Sequence, residues 1–572
     1  MPFRPEPIEP PCNGAELIVH LLEQQGVRII AGIPGGTLLP LYEALGNSSA
    51  IAHVLPRHEQ AAGFIAQGIA RITGKAGVCL ATSGPGVTNI ITAIADAKLD
   101  SVPLICIAGQ VPTHLIGTDA FQEVRTIEMV RPITKACFFV QRAEELVRVI
   151  PEAFRIAESG RPGPVLIDIP KNVQMQRWEH SVLPETAASL TAQQPAAQTH
   201  RSASAIHFDR AIEMIDHSSR PVLYVGGGVV KARAHELVRE LAQRLDIPVV
   251  TTLMALGTLA SEHRLNLGMP GMHAARYTNR VIDECDLLIA IGARFDDRAT
   301  GTPEHFAARA RIIHIDVDER ELGKIKQPAL AIACDAHTAL TELLRRTSPA
   351  QRPAWLSRIR QLRAAYPLRM PRVHELCSPY GIVRAVSELA PRDCLITTDV
   401  GQHQMWVAQA FAFSRPDRWL TSGGLGTMGF GLPAAIGAVL AQPDATALCF
   451  TGDGSLQMNI QELATLAELN LDVKIILLDN AALGLVRQQQ ELFHRRRFVA
   501  SQYEQPPRFT AIAEAFGVPA IDLGRSAAPR AALAAALREK GPMLVRVPID
   551  ASEHALPMVK PGAANSEAVD HA

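Results

Sequence analysis

From one end to the other, the chain alternates between short apolar runs and longer amphipathic stretches. The runs lie at 78–82, 104–108, 165–169, 222–225, 287–291, 312–315, 395–398, 447–451, 473–478 and 544–547. Most are too short for helices, rich in β-branched residues, and bounded by Gly, Pro or Asp. Runs without polar alternation predict strands covered on both faces, hence parallel sheets. Stretches such as 143–158 and 335–345 read as helices between them. The repeated βα units predict an α/β fold built of doubly wound parallel sheets.

The length of 572 residues asks for several cores, since single ones seldom grow past roughly 250–300 residues. Two stretches low in apolar periodicity, 183–205 and 347–379, read as linkers, with 355–365 a helical exception. They predict three domains, at 1–190, 203–346 and 370–572. A net charge of −1 without a long basic run argues against a nucleic-acid partner. The nine cysteines show no metal-ligand spacing, and several sit in apolar runs as reduced core residues would, which fits a cytoplasmic location. The first fourteen residues lack the apolar stretch of a signal peptide, and no run approaches the roughly 20 residues of a membrane helix.

The sharpest chemical signal follows the run at 447–451. Gly452-Asp453-Gly454-Ser455 leads into a predicted helix at 459–468, and the next strand ends at Asp479-Asn480. The 27-residue spacing from Asp453 to Asn480 accommodates one helix and one strand. Both residues then fall at the carboxyl ends of neighbouring parallel strands, where α/β sheets bind ligands. A carboxylate and an amide oxygen suit magnesium that also holds phosphate oxygens. Gly452 and Gly454 permit close backbone approach, and the helix N-terminus favours phosphate charge. A tight turn with Asp453 as a helix cap is the plainer alternative for GDG alone.

This pattern resembles the thiamine diphosphate motif, in which GDG is followed by NN; here the pair is Asp479-Asn480. Pro56-Arg-His-Glu59-Gln and Ser83-Gly-Pro85-Gly-Val-Thr-Asn89 resemble the pyrimidine-binding domain of the acetohydroxyacid synthase (acetolactate synthase) family. Strings at 117–125, 161–173, 252–259, 267–273, 292–298, 397–406 and 557–565 extend the likeness over nearly the whole chain. It is nearest to the large subunits of the bacterial isozyme I branch. The resemblance implies a transferase of branched-chain amino-acid biosynthesis. Such enzymes decarboxylate pyruvate and pass the two-carbon unit to pyruvate or 2-ketobutyrate. Asp453, Asn480 and the main chain of Ala482 would hold magnesium. Pro85, Asn89, Val400, Gly401, Gln402, His403, Gly452, Gly454, Ser455, Gly484 and Leu485 would contact thiamine diphosphate. Glu59 would hydrogen-bond the pyrimidine ring, Met428 would bend the cofactor, and Gln122 and Lys171 would line the substrate approach. Without the resemblance, Glu59 reads as a helix-dipole partner, Met428 as core, Gln122 as a loop amide and Lys171 as a surface cation.

The resemblance also implies FAD in the middle domain, without net redox use. The matching positions are Gly226, Gly227, Gly228, Leu253, Met272, His273, Gly292, Arg294, Asp296, Arg298, Asp316 and Asp335. The three glycines after a strand suit close pyrophosphate approach. A homodimer with shared sites and a small regulatory subunit are implied as well. A flavin-using pyruvate oxidase is the alternative reading, and glyoxylate carboligase is disfavoured by Glu59. Most family members carry Trp where this chain has Gln489, so weak discrimination between pyruvate and 2-ketobutyrate as acceptor is expected.

Overall fold

The computed structural model describes residues 12–178 and 205–570. The first linker, up to residue 204, and the opening residues lie outside them. Three parallel sheets organise the chain. A short antiparallel pair, β1 (Cys12–Asn13) with β8 (Arg177–Trp178), ties off the N-terminal one.

The N-terminal sheet contains β2 (Ile29–Gly32), β3 (Ala52–Val54), β4 (Gly77–Ala81), β5 (Leu104–Gln110), β6 (Ala136–Phe139) and β7 (Pro164–Pro170) in the order β3-β2-β4-β5-β7-β6. The middle sheet contains β9 (Pro221–Val225), β10 (Val249–Thr251), β11 (Leu287–Ile291), β12 (Arg311–Asp316) and β13 (Leu330–Ala333), ordered β10-β9-β11-β12-β13. The C-terminal sheet contains β14 (Leu395–Thr398), β15 (Trp419–Leu420), β16 (Ala447–Gly452), β17 (Val473–Asp479), β18 (Ala520–Asp522) and β19 (Met543–Pro548), ordered β15-β14-β16-β17-β19-β18. The first and third sheets therefore share one winding: each starts second from an edge, reverses, and exchanges its last two strands. All ten strands expected from apolar runs are present and parallel. Central strands such as β5 and β17 are buried at every position, because helices cover both faces.

The helix Pro353–Ala365, within the second presumed linker, packs Trp355, Ile359 and Leu362 into the middle domain. The Trp355 indole nitrogen donates to the Pro221 carbonyl at 3.1 Å.

Helix Glu59–Thr73 of the N-terminal domain crosses helix Gly431–Ala441 of the C-terminal domain at backbone distance. A Cβ on Gly68 would stand 2.3 Å from the Ala434 carbonyl oxygen, and one on Gly437 would stand 2.0 Å from that of Ile65. Neither carbonyl can move without unwinding its helix. Around this crossing the two outer domains share a single apolar core, which includes an edge-to-face contact of Phe64 with Phe430 at 5.3 Å. Gly437→Ala is expected to cost about 1–3 kcal/mol by overpacking, read as a lowered denaturant midpoint. Gly46→Ala, at a position with open space around it, serves as the control. Equal midpoints for the two variants would refute the close-packing account.

Candidate active site

The switch point of the C-terminal sheet lies between β14 and β16, where strand order reverses and α/β sheets open a crevice. Three strands end there. β14 runs into Asp399-Val400-Gly401, β16 into Asp453, and β17 into Asn480. Register pairs Gly452 with Leu478, so Asp453 and Asp479-Asn480 leave the sheet side by side. The Asn480 amide nitrogen donates to Gln402 Oε1 at 3.2 Å, which keeps the Asn480 oxygen available for a cation. Gln402 is itself held by the Gln488 side chain (2.8 Å) and the Glu553 carbonyl (2.7 Å).

Asp453 is almost fully buried and accepts the Ala482 amide at 3.0 Å. Burial, and then the Asp479 carboxylate, push its acid up to about 7. A carboxylate so placed favours a cation beside it. Asp479, where the resemblance calls for Asn, faces away and takes the Arg546 guanidinium at 2.7 Å. A neutral Asn could not form that ion pair.

Glycines make the cradle. A Cβ on Gly452 would meet the His403 ring at 2.8 Å, and one on Gly484 would meet Gln402 Oε1 at 2.0 Å. Ser455 donates to the Val400 carbonyl at 2.8 Å, which ties the β14 and β16 turns together. The His403 ring is buried, with Nε2 lacking a hydrogen-bond partner, and burial lowers its pKa to about 3. Met428 reaches over the same turn, its Cε 3.6 Å from where a Gly454 Cβ would lie. A glycine cradle, an orphaned buried ring nitrogen and a carboxylate–amide pair fit a magnesium diphosphate.

A second cluster belongs to the N-terminal domain. Glu59 opens its helix after His58, which caps the Gln60 amide. The Asn89 amide donates to Glu59 Oε2 at 2.9 Å, and Oε1 lies 3.5 Å from where a Gly86 Cβ would be. Pro85 and Asn89 lie in the first turns of the next helix. Gln122 sits over this turn with φ +62°, its Cβ 2.8 Å from a notional Gly84 Cβ. Lys171 follows the end of β7 and is half-buried. Glu59, Pro85, Asn89 and Gln122 thus come together, as do Asp453, Asn480, Gln402, His403 and Met428, but the two groups stand on different domains.

Between the domains lies a cavity of about 740 Å³, within the range of cofactor pockets. All twelve positions assigned to flavin line it, with Val400, Leu485 and Gln489 on its C-terminal wall. Several also have structural partners. Asp296 and Asp335 cap helices, and His273, its pKa lowered to about 4 by burial, donates from Nδ1 to the Ala555 and Pro557 carbonyls. The glycines have a packing role as well. A Cβ on Gly226 or Gly228 would strike Gly292 backbone atoms at 2.1 and 2.7 Å, so the interlock of two turns demands these glycines whether or not a ligand approaches. Arg161, from the N-terminal domain, and Lys231 also face the cavity. Neither stands out by spacing; Lys231 ends the helix that opens at Gly227, whereas domain packing brings Arg161 there. Gln489 lines both this cavity and a second hollow of about 600 Å³ bordered by Val486, Gln490 and Phe493 of its own helix.

Beneath the Gln122 segment, Gln110 donates to the Val124 carbonyl (3.1 Å) and to Asp168 Oδ2 (3.3 Å). Burial raises the Asp168 acid to about 7. The folded state therefore holds this proton more tightly than the unfolded chain, and the associated stability, present below about pH 4, is lost as pH rises through 7. Asp168→Asn should gain on the order of 1–3 kcal/mol at pH 8 and little at pH 4. Thermal melting at the two pH values measures this; equal shifts at both would rule out a raised folded-state acid.

Sequence profiles for thiamine pyrophosphate enzymes match this chain in three places: the N-terminal TPP binding domain over residues 12–129, the central domain over 208–343 and the C-terminal TPP binding domain over 399–547. The chain is 54% identical over 557 residues to the acetolactate synthase isozyme 1 large subunit of Escherichia coli K12, covering 97% of each. It is 44% identical to the isozyme 2 large subunit of the same organism, over 98% of this chain and 99% of that one. To the chloroplastic acetolactate synthase 2 of Nicotiana tabacum it is 42% identical, over 98% of this chain and 85% of that one.

Proposed function

The chain belongs to the acetolactate synthase large-subunit family of thiamine pyrophosphate enzymes, and from that premise we propose that it decarboxylates pyruvate and transfers the two-carbon unit to a second 2-keto acid. The observation that carries this reading is the convergence of Asp453, Asn480, Gln402 and Met428 on one glycine-lined turn at the C-terminal switch point. Asp453, Asn480 and the Ala482 carbonyl would hold magnesium, and the turns at Val400–His403 and Gly452–Ser455 would seat the diphosphate arm. Bound there, thiamine diphosphate supplies the carbon nucleophile and the electron sink that 2-keto acid decarboxylation needs.

The protein's own part is orientation and proton placement. Met428, packed against Gly454, fixes the shape of the floor. The Glu59 carboxyl, steadied by the Asn89 amide, would hydrogen-bond a pyrimidine nitrogen. Gln122 and Lys171 border the approach of the anionic substrate. The interdomain cavity, with Arg161, Arg294 and Arg298 on its walls, suits FAD. Glu59 on one domain and Asp453 on another support a site completed across a homodimer. Apolar side chains left exposed on the N-terminal domain, Phe121 beside Gln122 at 88% and Leu39 at 54%, suit burial by a second copy. A small regulatory subunit is part of the same proposal, since the two Escherichia coli relatives are named large subunits. Among the described residues no helix is long and apolar enough to cross a membrane.

Purified protein supplied with pyruvate, thiamine diphosphate and magnesium should form acetolactate without consuming oxygen or reducing a quinone. Oxidation of pyruvate with no acetolactate would overturn the assignment. Glu59→Gln and Asp453→Ala should each nearly abolish turnover, and mixing the two after subunit exchange should restore part of it. No recovery despite demonstrated exchange would place the whole site in one chain. Wild-type enzyme should discriminate weakly between pyruvate and 2-ketobutyrate, and Gln489→Trp should favour 2-ketobutyrate by about tenfold or more, as one packed methylene allows. Competition between the two acceptors decides it; a preference of roughly 50-fold in the wild type would show that another residue forms the pocket.

A further inference from the structure

Met428 stands in segment 422–431, which passes between the N- and C-terminal domains, and three buried carboxylates hold that segment. Ahead of Met428, Asp100 accepts the backbone amides of Gly423 (3.1 Å) and Gly424 (2.7 Å). Asp96 Oδ2 accepts the hydroxyls of Ser422 and Thr427, the latter at 3.0 Å. The Ser422 oxygen in turn accepts the Thr427 amide at 2.9 Å, which closes the loop on itself. Just past Met428, Asp399 Oδ1 accepts the amides of Gly429 (2.8 Å) and Gly431 (3.0 Å). One anchor belongs to the N-terminal domain and the other to the C-terminal domain, and Met428 is suspended between them.

Arg71 completes the first anchor. It pairs with Asp100 at 2.8 Å, approaches Asp96 at 3.7 Å, and lies 5.1 Å over the ring of Phe430. The side chains of Asp96 and Asp100 are wholly buried, and Asp96 Oδ1 has no hydrogen-bond partner. Burial and then the Asp100 carboxylate raise the Asp96 acid to about 6, while Arg71 holds Asp100 below its ordinary range against the effect of its own burial. Buried acids are a costly way to glue two domains, and apolar residues of similar volume usually serve stability as well or better. Here their bonds converge on one short loop, and there they set its path.

We propose that Asp96 and Asp100 are positioning residues that hold Met428 against Gly454, so that the N-terminal domain sets the shape of its own chain's diphosphate-bearing half-site. The proposal rests on the assignment of Met428 to the cofactor floor. It predicts an effect on turnover that passes through Met428 and spares the diphosphate anchor at Asp453 and Asn480.

The test compares Asp96→Ala, Met428→Ala and the double variant in the full-length, cofactor-loaded enzyme. Asp96→Ala should lower kcat on the order of 10²-fold, the scale of a misplaced contact about 1 Å out of register, with the half-saturating thiamine diphosphate concentration unchanged. The double variant should be no slower than Met428→Ala alone, because both changes remove the same interaction. Asp96→Asn, which keeps a carbonyl oxygen for both hydroxyls, should recover most of the loss. If Asp96→Ala does not fold, Thr427→Val removes one of the two hydroxyl bonds and should give a smaller kcat loss with the same non-additivity. Additive losses, or wild-type kcat in Asp96→Ala, would overturn the proposal while leaving the Met428 assignment intact. Wild-type kcat in Met428→Ala would remove that assignment and the proposal with it.

Discussion

The crossing of helices Glu59–Thr73 and Gly431–Ala441 is the contact on which the rest of the molecule depends. Two backbones meet there with no side chain between them, at Gly68 against Ala434 and at Gly437 against Ile65. Such contact leaves little freedom in the angle or the depth at which the outer domains join, because helix carbonyls yield far less than side chains do. Both helices start beside chemistry. The first opens with Glu59, and the second follows Met428 by three residues. Fixing the crossing therefore fixes where each half-site faces.

Buried carboxylates set the finer geometry. Asp399 holds the turn before the second helix, Asp96 and Asp100 hold the loop before that, and Asp453 orients the Ala482 amide. Each accepts backbone amides or hydroxyls from a loop that carries no regular hydrogen bonding of its own. A loop cannot be stiffened by packing alone, since its backbone groups need partners. Acids that would be poor core residues elsewhere supply those partners here. Asp453 differs from the others in having cation-ready surroundings, with Asn480 beside it and glycines around it.

The large cavity is walled by residues that packing itself demands. Gly226, Gly228 and Gly292 are required because two turns interlock, yet those turns form one wall of the cavity. Asp296 and Asp335 cap helices and face the same space. A structural duty at these positions is compatible with a ligand in the cavity, and substitution there would disturb the packing of the wall.

By itself the sequence determined the fold class and ten of the eleven interior strands of the described sheets, missing the short β2 (Ile29–Gly32). Continuous β-branched runs such as 473–478 can be satisfied only between two layers of helices, and all ten such runs are strands. It also placed Asp453 and Asn480 at the ends of neighbouring strands, and the register of β16 with β17 brings them side by side. The edge strands β3, β6, β10, β13, β15 and β18 escaped notice, because each is only two to four residues long. Tertiary structure alone decided the contacts that join distant segments. Asp96 meets Thr427, Arg161 enters the flavin-sized cavity, and Gly68 meets Ala434, each across a sequence separation that no local pattern encodes. Periodicity reports which face of an element is buried; which other element buries it is settled only when the domains close on one another.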